Sequence, residues 1–383
     1  MQKFEEIVTF IRNLYSQPNG FIPLHAPMFN GNEKKYLEEC IDTTFVSSVG
    51  RFVDLFEEEI ARYTNTSRAV VCVNGTNALH LALMLVGVKQ YDEVITQPLT
   101  FISTANSILY CGANPVFLDV DRDTLGLNPE SLSEFLVTMT EQKAEGCYNK
   151  VTKRRIAACL PMHTFGHPCR IDAIIDICRE YGIKVVEDAA ESMGSYYKGK
   201  HTGTFGEIGV ISFNGNKILT TGGGGILLFN DTRLANHAKH LTTQAKVDHP
   251  WEFFHDEVGY NYRMPNINAA LGLAQLEQLD GFLKAKRKVA EAYDHFFKRI
   301  DIKFVREPKD SKSNYWLNSI LFENKEYRDS FLKFSNDNGV MTRPVWELMN
   351  RLPMYSNSQC GNLSNAELIS ERLVNIPSSV IKQ

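Results

Sequence analysis

Apolar positions follow one spacing at the start of the chain and another from residue 68 onward. Phe4, Ile7, Val8, Ile11 and Leu14 recur at helical intervals, so residues 3–15 are expected to form a helix that Gln17-Pro18-Asn19-Gly20 ends. Helical patterns return behind Asn32, to about residue 45, and over 51–63. From residue 68 short β-branched or wholly apolar runs take over, at 68–73, 94–96, 115–118, 156–160 and 184–187. Helical patterns separate them at 78–86, 103–111, 129–139 and 171–181, and 141–154 reads as a polar surface loop. Strands alternating with helices predict an α/β fold with a mostly parallel sheet. In such sheets ligands sit beyond the carboxyl ends of the strands. Gly75-Thr76, Phe101, His163 and Asp188 all fall there.

The pattern changes again after the apolar run 208–213, a polar turn with Lys217, and four glycines at 222–225. A strand (ILLFN) and a helix from Asp231 to about residue 241 follow. Residues 243–265 are irregular and rich in aromatics, His and Asn. A long helix is expected over 268–299, then a strand at 316–321, a helix at 327–336 and a short helix before VNIPSSV. This divides the chain into a helical arm (1–20), a large domain (21–265) and a smaller C-terminal α+β domain (266–383).

The totals narrow the function class. The 383 residues allow a sizeable core, and 41 basic against 45 acidic side chains give a net charge of −4. That balance offers no general attraction to nucleic acid or an anionic membrane. No stretch approaches the ~18 uninterrupted apolar residues of a membrane span. The N-terminus lacks a signal-peptide core. The eight cysteines form no CxxC and sit mostly in apolar runs, as buried thiols of a reducing compartment do. A cytoplasmic protein is expected.

The chemistry concentrates between Lys184 and Gly225. One apolar strand ends on Glu187-Asp188, and a second leads to Lys217. An acid at one strand end and a lysine past another is the minimum equipment for pyridoxal phosphate (PLP). The aldehyde needs a lysine amine for a Schiff base. The pyridine nitrogen needs an acid partner, because the ring is an electron sink only while that nitrogen is protonated. Taken alone, Lys217 also fits a surface turn, and Asp188 fits a helix cap. Gly75-Thr76 after a strand, with the Ser212 hydroxyl, fits a phosphate cradle as well as an ordinary turn. Phe101 fits a ring stacked on a flat cofactor or a core side chain. No Gly-Lys-Ser/Thr follows the glycine run and no GxGxxG lies between a strand and a helix, which excludes the common nucleotide loops. His163, His167 and Cys169 form a loose HxxxHxC without a second ligand pair, so no metal is expected.

In order, IPLHAP, the NGT turn, PLTFISTANSILYCGANPVFLDVD, PMHTFG, VVEDAAESMGS, ISFNGNKILTTGGGG, GYNYRMPNINAALGLAQL and MTRPVW resemble the sugar-nucleotide aminotransferases of the DegT/DnrJ/StrS family, over roughly residues 20–380. GNEKKYLEECIDTTFVSSVGRFVDLFE, with the arm before it, resembles the branch that aminates UDP-linked 4-keto-6-deoxy-N-acetylhexosamines in bacterial surface-glycan pathways.

The resemblance implies the aspartate aminotransferase-like fold type I of PLP enzymes and a homodimer whose active site is shared across the interface. Lys217 matches the lysine that binds the cofactor and shuttles protons. Asp188 matches the partner of the pyridine nitrogen. Gly75, Thr76 and Ser212 match the phosphate cradle, and Phe101 the stacked aromatic. Asn261 matches a residue that reaches the phosphate from the second subunit. Glu191 stands where many relatives carry Gln or His near the ring hydroxyl, and Gly223 replaces a glutamate. His163 and Arg343 are candidates for substrate contact. The implied reaction is ping-pong transamination of a nucleotide-linked keto sugar, UDP-linked by this resemblance, with L-glutamate as donor. A dTDP- or GDP-linked substrate is the first alternative. A PLP lyase or desulfurase would need a reactive loop cysteine, for which only Cys147, Cys169 and Cys360 have the context. A non-catalytic PLP-fold binding protein is a third, and Lys217 argues against it.

Overall fold

The computed structural model describes residues 2–381. Three helices come first, α1 (Gln2–Leu14), α2 (Glu33–Asp42) and α3 (Arg51–Thr64). Strands and helices then alternate as β1 (Arg68–Cys72), α4 (Gly75–Leu85), β2 (Glu93–Thr96), α5 (Ile102–Tyr110), β3 (Asn114–Phe117) and α6 (Pro129–Met139). A hairpin of β4 (Thr140–Lys143) and β5 (Gly146–Asn149) precedes β6 (Ile156–Leu160), α7 (Ile171–Glu180) and β7 (Lys184–Asp188). A second, of β8 (Tyr196–Tyr197) and β9 (Lys200–His201), precedes β10 (Ile208–Ser212) and β11 (Gly225–Phe229).

Seven of these strands form one sheet in the order β1-β11-β10-β7-β6-β2-β3. Only β11 runs against its neighbours, and every other pairing is parallel. Alternate side chains divide between the faces. Val70, Val210 and Leu227 pack with α4 on one side. Val71, Ile211 and Ile226 pack with Phe52 and Phe56 of α3 on the other. Burial on both faces explains why these strands read as unbroken apolar runs.

The chain continues through α8 (Thr232–Thr242), α9 (Asn266–Leu276) and α10 (Leu279–Arg299). It then forms β12 (Lys303–Phe304), β13 (Ser311–Lys312), β14 (Asn318–Leu321), α11 (Lys325–Asp337), β15 (Arg343–Pro344), α12 (Ser364–Arg372) and β16 (Leu373–Ile376). Four of these strands make a separate antiparallel sheet, β12-β14-β16-β15. Phe4, Ile7 and Ile11 of α1 are buried there with Tyr293, Phe297 and Phe331. No helix among the described residues is long and apolar enough to cross a membrane.

Three expectations change. The polar stretch taken as a loop contains the β4–β5 hairpin, and its alternation buries Cys147 and Asn149. The Asn149 side-chain amide donates to Glu93 at 2.8 Å, so a polar residue was facing inward. The expected single helix over 268–299 is two helices, broken at Glu277-Gln278. There the side chains turn toward α2: Gln278 donates to Glu33 at 2.6 Å, and Glu277 accepts from Tyr36 at 2.6 Å. Finally, α4 begins at Gly75 rather than at residue 78, because Asn74 caps it by accepting the Asn77 N–H at 2.8 Å.

Candidate active site

Five strand ends, with Met162 standing after β6, converge on one cavity of about 290 Å³. After β1 come Asn74, Gly75 and Thr76. After β2 come Phe101, Ser103 and Thr104. After β7 come Asp188, Ala190 and Glu191. After β10 come Asn214, Asn216 and Lys217, with Ser212 at the strand end. Trp316 and Trp346 close it from the C-terminal part of the chain. Residues as distant in sequence as Asn74 and Lys217 meet because parallel strands place their carboxyl ends on one edge.

Lys217 sits in the turn after β10, its N–H bonded to the Asn214 carbonyl at 2.9 Å. Its Nζ lies 3.3 Å from Glu191 Oε1 and 3.9 Å from the centre of the Trp316 ring. A cation over an indole face and beside a carboxylate is doubly compensated. Trp316 is held by its own indole N–H, which donates to the Asn216 carbonyl at 2.7 Å.

Asp188 is buried. Thr104 Oγ1 donates to its Oδ2 at 2.6 Å and the Ala190 N–H to its Oδ1 at 3.1 Å. Burial raises its carboxyl above the ordinary range, and those two donors oppose the shift. Glu191 has a side chain 1% exposed, and its Oε2 accepts the Phe165 N–H at 2.9 Å. Burial pushes its carboxyl up to about 7 against the pull of Lys217, and nearby Asp188 pushes the same way.

At the other end, the α4 N-terminus points backbone N–H groups into the cavity. A Cβ on Gly75 would stand 3.0 Å from Ser212 Cβ and 3.2 Å from its Oγ, so a side chain there would crowd the Ser212 hydroxyl. Glycine N–H, Thr76 and Ser212 hydroxyls and a helix N-terminus make an anion cradle. The lining side chains include no cation besides Lys217. Phe101, 48% exposed, presents its ring at the mouth, edge-on to Trp346 at 6.1 Å. A flat phosphorylated aldehyde fits this donor set: cradle at one end, buried acid at the other, one lysine between.

Three expected site residues do not line the cavity. His163 is fully buried behind Asp188. Its Nδ1 accepts the Cys169 N–H at 3.1 Å, so the ring proton is on Nε2, 3.0 Å from Glu187 Oε2. It cannot touch a substrate, and its place as a candidate contact is corrected to a support beneath the β7 end. Arg343 is exposed on β15, and Trp346, three residues on, reaches the cavity instead. Asn261 is exposed, its Oδ1 accepting from Arg263 at 3.4 Å. Gly223 has open space around it, and nothing in the structure explains glycine there. Cys147 and Cys169 are core residues outside the cavity. Thr104, Phe165 and Trp346 each lie inside a quoted motif, but only the folded chain shows which side chain of a motif faces the cavity; Trp316 lies outside every quoted motif, and no local signal marks it.

The description "DegT/DnrJ/EryC1/StrS aminotransferase family" fits residues 27–381. A GDP-perosamine synthase of Escherichia coli is 38% identical over 358 residues, covering 94% of this chain and 93% of its own. One of Caulobacter vibrioides is 37% identical over 362 residues, covering 93% of each. Among solved structures, the aminotransferase TlmJ from Streptoalloteichus hindustanus superposes with a TM-score of 0.84 at 29% identity, covering 94% of this chain and 93% of its own.

Proposed function

This chain belongs to the DegT/DnrJ/EryC1/StrS aminotransferase family of PLP-dependent sugar aminotransferases, and on that premise we propose that it moves an amino group from L-glutamate to a GDP-linked keto sugar. The observation that carries the proposal is the meeting of Lys217, Asp188 and the Gly75-Thr76-Ser212 cradle in one cavity.

Each residue has a part that its geometry suits. Lys217 Nζ would bind the cofactor aldehyde. The cradle of Gly75, Thr76 and Ser212 would take the phosphate, and Asp188, oriented by Thr104 and Ala190, would keep the pyridine nitrogen protonated. Phe101 would pack on the cofactor ring. When bound, the cofactor supplies an electron sink for the pair left by a departing proton. Lys217 Nζ removes the α-proton of the donor in the first half-reaction. In the second it returns a proton to the sugar carbon that gains nitrogen. Base catalysis of this type contributes roughly 10²–10⁴-fold. Trp316 and Trp346 narrow the mouth and exclude water.

The GDP-perosamine synthases support a GDP-linked substrate over the UDP-linked N-acetylhexosamine expected from the N-terminal segment. Half-transamination of the loaded enzyme against GDP-, UDP- and dTDP-linked 4-keto-6-deoxy sugars, read by visible absorbance, tests this. Turnover of the UDP sugar alone would return the substrate to the UDP branch.

A homodimer completes the site. The cavity lining carries no cation besides Lys217, and Asn261 of the partner subunit is the further hand proposed for the phosphate. Exposed Trp251 (76%), Phe253 (83%) and Phe254 (61%) on the same irregular segment form apolar surface that a second copy would cover. All eight cysteines are free thiols, which suits a reducing cytoplasmic setting.

A further inference from the structure

Lys217 and Glu191 have their charges tied together. Nζ and Oε1 are 3.3 Å apart, and the two side chains are 12% and 1% exposed. A buried charge without a partner is costly, so the charge on each side chain favours the charge on the other. Ammonium with carboxylate is neutral overall, and so is amine with carboxylic acid. A proton can therefore cross from one to the other without changing the net charge of the cavity.

The rest of the surroundings keep Glu191 in place for this. Its second oxygen is fixed by the Phe165 N–H at 2.9 Å. Phe165 is in the left-handed region (φ 56°), and its ring packs on Trp346 at 5.0 Å. The Glu191 carboxyl thus has one oxygen committed to the backbone and one aimed at the lysine. Two other titratable groups face the pair: Asp188, whose own carboxyl is satisfied by Thr104 and Ala190, and His25, whose imidazole is held well below its ordinary value by burial and then by the charges of Lys286 and Lys217. The Trp316 ring lies under Nζ and adds no titratable group.

We propose that Glu191 is the proton holder for Lys217. As Lys217 becomes a neutral amine, an N–H bond of its ammonium breaks and an O–H bond forms on Glu191 Oε1. The reverse step restores the ion pair. The inference rests on the aminotransferase reading, because only a lysine that must bind and release a carbonyl carbon needs such a partner. Burial and Asp188 favour the acid form of Glu191, and the Lys217 charge is the main force against it. Once that charge is gone, Glu191 retains the proton and becomes a hydrogen-bond donor into the cavity.

The test uses the full chain without added cofactor. Infrared difference spectra at about pH 8 compare Lys217→Ala with the double variant carrying Glu191→Gln. Lys217→Ala is expected to show one protonated-carboxyl band that the double variant lacks, whereas wild type shows a carboxylate. In parallel, labelling of Lys217 by an amine reagent is followed against pH. Glu191→Gln keeps an acceptor for the Phe165 N–H but loses the charge, so the labelling midpoint is expected to fall by about one pH unit or more. A missing band or an unmoved midpoint overturns the proposal. Adding PLP to wild type and finding no visible band would instead remove the aminotransferase reading, and the two failures are told apart.

Discussion

The indole N–H of Trp316 donates to the carbonyl of Asn216 at 2.7 Å, joining the C-terminal part of the chain to the residue beside Lys217. The same indole lies under Nζ at 3.9 Å. One side chain therefore holds the backbone of the Lys217 turn and offers a face to the lysine's charge. Trp316→Phe keeps an aromatic face and removes the hydrogen bond. A hydrogen bond of this kind contributes about 1 kcal/mol. The expected result is a several-fold loss of PLP affinity with little change in melting temperature, measured by titration of the visible band.

Two glycines of the site have different limits. A Cβ on Gly75 meets Ser212 Cβ at 3.0 Å, whereas one on Gly225 meets the backbone of Asn74 and Gly75 at 2.7 Å. A side chain can give way by a few tenths of an ångström, but the α4 turn cannot shift without moving the cradle. Gly225→Ala is expected to destabilise the fold by about 1–3 kcal/mol. Gly75→Ala is expected to fold and to bind phosphate-bearing cofactor more weakly than pyridoxal lacking the phosphate. Denaturant midpoints and comparative binding of PLP and pyridoxal check the pair.

The site residues divide by how their signals arise. Lys217, Asp188, Gly75, Thr76 and Ser212 were legible because each stands at the end of an apolar run, and a parallel sheet gathers such ends on one edge. His163 stands at a strand end too, yet it points under the sheet edge toward Glu187, and one strand position cannot reveal which way a loop turns. The β4–β5 hairpin was illegible for a related reason. Its inward residues include Asn149, whose partner Glu93 is 56 positions away, so a polar side chain concealed the alternation. Trp316 and Trp346 depend on the packing of the C-terminal sheet against the cavity, which no local pattern records.

Glu191 makes apo stability depend on pH in a stated direction. Its folded carboxyl stands at about 7 against an ordinary 4.5. The folded state then binds more protons than the unfolded chain between those values. The contribution is fully present below 4.5 and is lost as pH rises through about 7. Melting temperature of the apo protein is expected to fall across that window by more in wild type than in Glu191→Gln. A parallel pair of curves would show that the carboxyl titrates normally.

His163 is expected to matter for stability and not for substrate affinity. Glu187 accepts N–H groups of Gly203, Phe205 and Gly206 at 2.8, 2.6 and 2.8 Å besides facing His163. Its carboxyl is held below the ordinary value despite burial, first by His163 and then by those N–H groups. His163→Phe removes one donor from a buried carboxylate and leaves the others, at a cost of about 1–3 kcal/mol. The KM for the keto sugar is expected to stay within about twofold, since a ring behind Asp188 touches no substrate. A large rise in KM with unchanged stability would place His163 in the cavity after all.

The proposed sharing of the site between two subunits makes a prediction that neither single variant can test alone. Lys217→Ala removes the amine proposed to react in its own chain, and Asn261→Ala removes the hand proposed to enter the neighbouring cavity. Each homodimer of these variants is expected to have both sites defective. Co-refolding or co-expressing the two forms produces mixed dimers in which one cavity has both defects and the other has neither. Activity is therefore expected to reappear on mixing, although neither parent has more than residual turnover. A site contained in one chain predicts no rescue, because every cavity then carries either Lys217→Ala or Asn261→Ala whatever its neighbour. Activity of the mixture, measured beside its separated parents at equal total protein, distinguishes the two arrangements.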